Sequence, residues 1–220
     1  MRILDLFSGI GGFSLAASYV WGAELEIVSF CEINSFCQKI LKKNFPHVPI
    51  IPDIKNLKGD QFGKIDLISG GFPCQPFSIS GERKGKKEDR YLWPEMLRVV
   101  SEIHPTWVVG ENVAGIVNME LHEMLLDLES EGYEVFSIMV PACAVGAWHK
   151  RERIWILAYS TGAQLYKTRE KSPFKRRETI RFSLPIPWTT EPRVGRVVHG
   201  IPNRVDRIRS LGNSIVPQIA

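Results

Sequence analysis

A single cysteine, Cys74, has the setting in this chain that best suits nucleophilic chemistry. It follows an apolar run at residues 64–69 that is typical of a buried strand in an α/β sheet, so the thiol falls just past a strand end. Pro73 and Pro76 flank it, and their fixed φ angles predict a stiff loop that could hold a nucleophile up for attack. A lone cysteine is more often a small buried hydrophobe, and the residues alone leave that alternative open.

A carboxylate and two arginines lie at other predicted strand boundaries. Residues 107–110 predict a short strand that delivers Glu111 at its C-terminal end, where ligands bind in open α/β sheets. Arg151 and Arg153 precede the apolar run at residues 154–159, which predicts another strand. We therefore expect the thiol and the Glu111 carboxylate on the same edge of one sheet.

The N-terminal part of the chain has the pattern of a nucleotide-binding α/β unit. A strand at residues 3–7 is followed by Gly9, Gly11 and Gly12 and then by a helical pattern over residues 13–20. Glycines at such a turn let the backbone approach a ligand at the helix N-terminus. The dinucleotide fingerprint would require a further glycine or alanine at the position of Ser14, so these glycines alone are weak evidence.

Two acidic residues follow predicted strands in this unit. The strand predicted over residues 24–30 leads to Glu32, whose carboxylate could accept hydrogen bonds from two ribose hydroxyls. A surface glutamate at a strand end is the plain alternative. A helix is expected over residues 34–44 with Asn34 as its cap, and the next predicted strand, residues 48–54, carries Asp53. Asp53 could equally be an ordinary turn aspartate.

The rest of the chain continues the α/β alternation. Helices are expected over residues 91–103 and from Asn118 to a stop at Gly132, and a further strand over residues 133–140. Residues 80–90 combine glycines with charge and no apolar period, which predicts a mobile surface loop or simply a solvated charge run.

Composition is that of a folded intracellular protein. The 220 residues, 44% of them hydrophobic, can bury a sizeable core in one large domain with a small appendage. The four cysteines form neither a CxxC pair nor a zinc-ligand spacing, so we expect reduced thiols and no metal site. No apolar stretch approaches the roughly 20 residues of a membrane span. A cytoplasmic, soluble protein is expected.

Positive charge accumulates in the last third of the chain. The net charge is +4, which permits a polyanionic partner without demanding one. The segment from residue 167 to residue 181 carries seven basic residues against two glutamates: Lys167, Arg169, Lys171, Lys175, Arg176, Arg177 and Arg181.

Three motifs together carry a family resemblance. Residues 70–78 (Gly-Gly-Phe-Pro-Cys-Gln-Pro-Phe-Ser), residues 111–113 (Glu-Asn-Val) and residues 150–153 (Lys-Arg-Glu-Arg) occur in that order. The chain resembles the cytosine-5 DNA methyltransferase family over nearly its whole length. It departs from the family pattern at His149, where the family has glutamine.

The resemblance implies a Rossmann-like α/β fold with a mixed, mostly parallel sheet that binds S-adenosylmethionine and releases S-adenosylhomocysteine. It implies a catalytic and cofactor-binding domain at residues 1–159, a reduced basic target-recognition segment at residues 160–203, and a return to the catalytic domain at residues 204–220. Within the target-recognition segment, residues 196–202 resemble the family's ninth motif. The implied cofactor contacts are Phe7, Gly9, Gly11, Gly12, Glu32, Ile33, Asp53, Ile54, Pro73, Leu92, Asn213 and Ser214.

The family chemistry assigns roles to four residues. Cys74 would add to carbon 6 of cytosine, Glu111 would serve ring nitrogen 3, and Arg153 the exocyclic oxygen. Arg151 would support the site or bind a phosphate. Desolvation would raise the pKa of Glu111, and the neighbouring arginines would oppose that shift. The cytosine would have to flip out of the duplex, with the basic tail and residues 80–90 contacting the DNA.

The resemblance also implies partners and leaves two alternatives. Double-stranded DNA is the expected partner, with a cognate restriction endonuclease as a potential second one. A monomer in a bacterial or phage-infected cell is expected. One alternative is a transfer RNA cytosine methyltransferase, although the chain lacks the Cys-Phe-Thr tripeptide that marks that branch. The other is a catalytically inactive DNA-binding relative.

Overall fold

Seven strands form one sheet between layers of helices in the computed structural model, which describes residues 1–73, 91–162 and 204–220. The predicted Cys74 loop, residues 80–90 and nearly all of the target-recognition segment lie outside the described residues. The helices and strands, in chain order, are β1 (Arg2–Leu6), α1 (Gly12–Trp21), β2 (Glu26–Cys31), α2 (Ser35–Asn44), β3 (Ile50–Ile51), β4 (Leu67–Gly70), α3 (Trp93–Ile103), β5 (Trp107–Val113), α4 (Leu121–Ser130), β6 (Tyr133–Pro141), β7 (Glu152–Ser160) and α5 (Arg204–Asn213).

The strand order across the sheet is β3-β2-β1-β4-β5-β7-β6. The pairs formed among β1 to β5 are parallel, and β7 runs antiparallel to both β5 and β6. This confirms the predicted mixed, mostly parallel fold. Because β7 runs the opposite way, its first residues lie at the edge where the parallel strands end. The C-terminal ends of the parallel strands and the first residues of β7 thus lie at one edge of the sheet, called here the carboxyl edge. This is the usual place for ligands in such sheets.

Apolar side chains cover both faces of the sheet. The main core joins the strands to α3 and α4, and Ile68, Val108, Met96 and Met124 in it are almost inaccessible to solvent. On the opposite face, Phe13 of α1 packs edge-on against Trp155 of β7 at 5.8 Å between ring centroids, together with Ile215 from beyond α5. The C-terminal segment is therefore part of the folded core.

Local sequence signals explain several element ends. Asn34 caps α2 as predicted, because its side chain accepts hydrogen bonds from the backbone N–H groups of Phe36 and Cys37. Gly132, with a φ of +84°, follows the end of α4.

Some predicted boundaries were wrong. β5 continues to Val113 because its last residues pair with the start of β7, so Glu111 lies within the strand and not beyond it. Asn118 ends a 3-10 turn, and α4 begins only at Leu121. Glu24 belongs to a 3-10 turn before β2. The helix α5 was not predicted, because its polar sequence has little apolar periodicity of its own. None of the helices in the described residues is both long and apolar enough to cross a membrane.

Candidate active site at the carboxyl edge of the sheet

A buried ion pair joins β5 to β7 at this edge. Glu111 is only 8% exposed, and its Oε1 lies 3.0 Å from Nε of Arg153. The strand register brings them together, since Arg153 pairs with Val113 two residues further along β5. The structure therefore brings these two predicted catalytic residues into direct contact. Burial leaves the pair little water to compete with it.

The chain that leads to Cys74 is attached to the same part of β5. Asn112 donates a hydrogen bond from Nδ2 to the Phe72 carbonyl at 3.2 Å. A Cβ atom placed on Gly71 would lie 3.5 Å from Oε2 of Glu111, so the backbone passes directly beside this carboxyl group. Cys74 itself is outside the described residues. Gly71 and Phe72, which precede it, lie against the Glu111 strand.

Burial and charge act in opposite directions on Glu111. Desolvation is the larger effect and raises the pKa of Glu111, while the positive charges of Arg153 and Arg151 oppose the shift. The net direction is upward. The carboxyl group therefore holds a proton more readily than a glutamate in water, as a proton donor to a ring nitrogen requires.

Arg151 has a different set of contacts. Its guanidinium donates to the Gly212 carbonyl at 3.0 and 3.1 Å and also to the Ser214 carbonyl. Its backbone has a φ of +33°, an unusual value for a residue with a side chain. Burial lowers the pKa of Arg151, and nearby Arg153 acts in the same direction. Arg151 thus connects the start of β7 to the C-terminal segment, which favours the supporting role over phosphate binding.

The three glycines of the turn after β1 differ in how much free space surrounds their Cα atoms. A Cβ on Gly11 would lie 2.8 Å from the Phe45 ring, and one on Gly12 would lie 2.6 Å from Cγ1 of Ile215. A Cβ on Gly9 would meet nothing within 4 Å, although its φ of +54° also favours glycine. Gly11 and Gly12 are therefore required for packing, and Gly9 is where a ligand can approach the backbone.

Glu32 is anchored beside this open position. It is 8% exposed, and its two oxygens accept hydrogen bonds from the backbone N–H groups of Gly9 and Asn34, each at 2.7 Å. Each carboxylate oxygen has a second lone pair that can still accept from a hydroxyl group. Ile33 next to it is 73% exposed and offers an apolar surface. These features fit a ligand with a ribose and a flat apolar ring.

The other predicted cofactor residues lie at the same edge but differ in exposure. Phe7 follows β1 with a φ of +51°, Pro73 follows β4, and Leu92 precedes α3. All three are half-buried, as are Asp53 and Ser214, whereas Asn213 is exposed. The Asp53 side chain caps a turn by accepting from the Lys55 N–H at 3.0 Å. The Ile54 side chain is buried in the core, which leaves its backbone as the part able to face a ligand.

Asp5 is a polar residue of this region that sequence reasoning did not single out. It is fully buried, and its carboxyl accepts hydrogen bonds from Ser14 Oγ at 2.7 Å and from Ser69 Oγ at 3.2 Å. Burial raises the pKa of Asp5 to about 7. A charged residue within an otherwise apolar strand was the available signal. It ties β1 to the first turn of α1 and to β4, directly below the glycine turn.

A cavity of about 630 Å³ lies between the β6–β7 connection and the C-terminal segment. Its lining includes His149, Arg151, Leu211, Ser214 and Pro217. Among the described residues, no group of three or more His, Cys, Asp or Glu side chains is placed to hold a metal ion.

Known proteins match both the sequence and the fold. The family model for "C-5 cytosine-specific DNA methylase" matches residues 1–211. The Type II methyltransferase M.HgiCII of Herpetosiphon aurantiacus is 32% identical over 164 residues, 71% of this chain and 36% of the relative. The Type II methyltransferase M.HhaI of Haemophilus parahaemolyticus is 31% identical over 180 residues, 80% of this chain and 54% of the relative.

A solved structure agrees with these matches. The structure titled as a putative DNA modification methyltransferase encoded within a prophage of E. coli superposes with a TM-score of 0.59 at 28% identity, over 73% of this chain and 47% of that one. The chain spans about a third to a half of the length of the curated relatives it matches.

Proposed function

The chain belongs to the C-5 cytosine-specific DNA methylase family, and on this premise we propose that it transfers a methyl group from S-adenosylmethionine to carbon 5 of cytosine in double-stranded DNA. The observation that carries the proposal is the buried contact between Glu111 and Arg153 beside the residues that lead to Cys74. The family chemistry needs the side chains of Cys74, Glu111 and Arg153. Glu111 and Arg153 meet at the carboxyl edge of the sheet.

Covalent catalysis overcomes the low reactivity of the cytosine ring. Carbon 5 is a poor nucleophile, so the Cys74 thiolate adds to carbon 6 and pushes electrons into the ring. Carbon 5 then becomes nucleophilic enough to accept a methyl group, which bound S-adenosylmethionine supplies from its sulfonium. Solvent water then accepts the carbon 5 proton, and the electron pair of that C–H bond re-forms the ring double bond as the thiolate leaves carbon 6. Cysteine suits both ends of this sequence because it attacks readily and leaves readily.

Glu111 and Arg153 stabilise the charge that this addition creates. Electrons pushed into the ring accumulate at nitrogen 3 and at the exocyclic oxygen. Glu111 donates a proton or hydrogen bond to nitrogen 3, and the raised pKa of its buried carboxyl supports that role. Arg153 places its positive charge at the oxygen. Arg151 supports the site through the Gly212 and Ser214 carbonyls.

The residues around the glycine turn form the S-adenosylmethionine site. The open backbone at Gly9 and the Glu32 carboxyl receive the ribose, while Ile33 and Phe7 contact the adenine face and Asp53 its amino group. Pro73 and Leu92 complete the pocket on the catalytic side. Asn213 and Ser214, in the C-terminal segment, form the remaining wall of the pocket. Ile215 of the same segment packs over Gly12.

Duplex DNA is the proposed substrate. The target carbons lie inside the base stack, so the cytosine must leave the helix, at a cost of a few kcal/mol that protein contacts offset. The basic segment within residues 160–203 supplies phosphate contacts. The names of several relatives as Type II methyltransferases support a restriction endonuclease as a companion of this protein.

Trapping on a mechanism-based substrate tests the proposal. Duplex DNA containing 5-fluorocytosine cannot lose a proton from carbon 5, so the wild-type protein with S-adenosylmethionine should form an adduct that survives denaturing electrophoresis. Cys74→Ser should form none. Cys143→Ser is the matched control, because Cys143 is an exposed cysteine to which the proposed chemistry gives no role, and it should trap as wild type does.

Two results would contradict the proposal. Absence of an adduct with wild type, although S-adenosylhomocysteine binds in calorimetry, would favour an inactive DNA-binding relative. Transfer of labelled methyl groups to transfer RNA and not to duplex DNA would favour the RNA alternative.

A further inference from the structure

An exposed tryptophan lies in the connection between β6 and β7. Trp148 is 77% exposed, the largest exposure among the large apolar side chains of the described residues, a value it shares only with Val205. Leaving an indole in water forgoes the burial of a large apolar surface. Tryptophans in such positions are enriched where a partner covers them. The proposed chemistry does not use Trp148.

The connection that carries Trp148 is ordered by its own hydrogen bonds. The Ala142 N–H donates to the Lys150 carbonyl at 2.8 Å, and the Ala147 N–H donates to the Ala142 carbonyl at 3.2 Å. These bonds close residues 142–150 into a compact loop, so Trp148 is presented on a defined backbone. Less conformational freedom has to be lost when a partner binds such a loop.

This loop belongs to the edge that holds the proposed active site. β6 ends at Pro141 and β7 begins at Glu152, which pair with each other at the carboxyl edge of the parallel strands. Arg153, next in β7, is the residue that contacts Glu111. Trp148 therefore projects from the same end of the sheet at which a flipped cytosine would be bound.

The residues that follow Trp148 include more basic than acidic side chains. Lys150 and Arg151 are the basic residues closest to it along the chain, and Arg151 also lines the cavity beside the loop. Glu152 pairs with Lys150 at 3.0 Å and offsets part of its charge. The Arg151 guanidinium donates to the Gly212 carbonyl, so Arg151 adds positive charge beside the loop without itself serving as a phosphate contact. An aromatic face beside such charge suits a nucleic acid, whose bases stack and whose phosphates are anionic.

We propose that Trp148 contacts the DNA by stacking its indole on a nucleobase that is exposed when the target cytosine leaves the helix. The proposal rests on the proposed function, since it takes duplex DNA as the partner. The departing cytosine uncovers the faces of its neighbours, and an aromatic side chain on an ordered loop is suited to cover one of them.

Binding measurements on three variants test the stacking contact. The probe is a fluorescently labelled random-sequence duplex, with anisotropy measured in the presence of S-adenosylhomocysteine. Trp148→Ala should weaken binding by roughly 5- to 100-fold, the range expected for loss of one base–aromatic stack. Trp148→Phe should retain most of the affinity because it keeps a ring. Trp148→Leu should behave like the alanine variant, since it is apolar but cannot stack.

Matched controls separate stacking from general effects. Tyr19 is also exposed, at 66%, but lies near the end of α1 that is remote from the carboxyl edge, so Tyr19→Ala should bind DNA as wild type does. All variants should bind S-adenosylhomocysteine equally in calorimetry, which shows that the fold is intact. The quenching of tryptophan fluorescence on binding DNA should be smaller in Trp148→Phe than in wild type.

The outcomes distinguish this inference from the proposed activity. Equal duplex affinity of wild type and Trp148→Ala would overturn the inference, even if wild type traps on 5-fluorocytosine DNA. A loss of affinity for transfer RNA alone would overturn it as well. Weaker duplex binding by Trp148→Ala in a protein that forms no 5-fluorocytosine adduct would support the contact and refute the catalytic assignment.

Discussion

Two carboxylates at the same edge of the sheet show how the two halves of the site differ. Glu32 on the proposed cofactor side and Glu111 on the proposed catalytic side are each 8% exposed. Both oxygens of Glu32 accept from backbone N–H groups, at Gly9 and Asn34. Glu111 contacts the cation of Arg153, but the desolvation of its carboxyl outweighs that contact and raises its pKa. Equal burial therefore accompanies two environments, one that suits an acceptor of hydrogen bonds and one that can hold a proton.

The halves also differ in how far apart their partners lie in the sequence. On the cofactor side, Asn34 lies close to Glu32 along the chain, and the glycine turn follows β1 directly. On the catalytic side, Asn112 must reach Phe72, and Arg153 must reach Glu111 from the neighbouring antiparallel strand. The contact of Glu32 with Asn34 can therefore be read from a local motif, whereas its contact with Gly9 joins two strand ends 23 residues apart. The catalytic side depends on the sheet being assembled correctly.

The largest expected effect is that of Glu111→Gln. If Glu111 is the proton donor to nitrogen 3, its loss should lower the rate of methyl transfer by about 10²- to 10⁴-fold. The affinity for S-adenosylhomocysteine should not change. Glu111 lies on the catalytic side and not on the cofactor side, and glutamine has the same shape as glutamate. Single-turnover transfer of labelled methyl groups to duplex DNA and calorimetry with S-adenosylhomocysteine measure the two quantities.

Glu32→Gln is the corresponding substitution on the cofactor side. It alters a carboxylate of equal exposure but replaces one acceptor oxygen by a donor beside the backbone N–H groups of Gly9 and Asn34. Affinity for S-adenosylhomocysteine should fall, while the rate at saturating cofactor should change far less than in Glu111→Gln. A rate loss of the same size in both variants would contradict the division of roles.

The sequence predicted the architecture because its signals were local. The apolar runs, the glycine turn and the Asn34 cap placed β1, α1, β2 and α2 to within a few residues. The extension of β5 to Val113 was missed because it is stabilised by pairing with β7, a contact across about 40 residues that no local pattern reports. Similarly, α5 is held by distant contacts, such as that of Ser210 Oγ with Cys37 Sγ at 3.3 Å.

The candidate site was predictable in part. The family resemblance implied that Glu111 and Arg153 act at one site, and the structure places Nε of Arg153 3.0 Å from Oε1 of Glu111. The contacts of Arg151 with Gly212 and Ser214 could not be predicted, since they depend on where the C-terminal segment returns. Asp5 was overlooked because its hydrogen bonds to Ser14 and Ser69 require a folded sheet.

Asp5→Asn, on the cofactor side, should remove a pH dependence of the free energy of unfolding. The folded chain holds the Asp5 proton up to its raised pKa of about 7, whereas an unfolded aspartate loses it near 3.8. Raising the pH through this window should therefore lower the free energy of unfolding of wild type by up to about 4 kcal/mol. Asparagine cannot ionise but can still bond to Ser14 and Ser69. Urea unfolding at pH 5 and pH 8 covers the upper part of this window and should show about 3 kcal/mol of the change.

The wild-type and Asp5→Asn proteins should thus diverge with pH in a defined direction. The variant should gain stability relative to wild type as the pH rises from 5 to 8. A constant difference between the two across that range would mean that Asp5 is ionised in the folded protein throughout. Asp5 would then accept its hydrogen bonds from Ser14 and Ser69 as a permanently charged carboxylate.

Gly12→Ala should have the smallest effect and tests whether the C-terminal segment belongs to the cofactor side. Alanine in a helix is otherwise favoured over glycine by at most about 1 kcal/mol. Here its Cβ would lie 2.6 Å from Cγ1 of Ile215, a side chain packed against Phe13 and Trp155. We therefore expect a net loss of about 1–3 kcal/mol in the free energy of unfolding.

The double variant Gly12→Ala with Ile215→Ala identifies the cause of that loss. Ile215→Ala removes the atoms that the new Cβ would meet, so adding Gly12→Ala to it should cost little, and the two single effects should not add. Affinity for S-adenosylhomocysteine should fall in Gly12→Ala, because a displaced Ile215 moves Ser214 with it. Additive effects on stability would show instead that the glycine is required by the backbone of the turn and not by the returning segment.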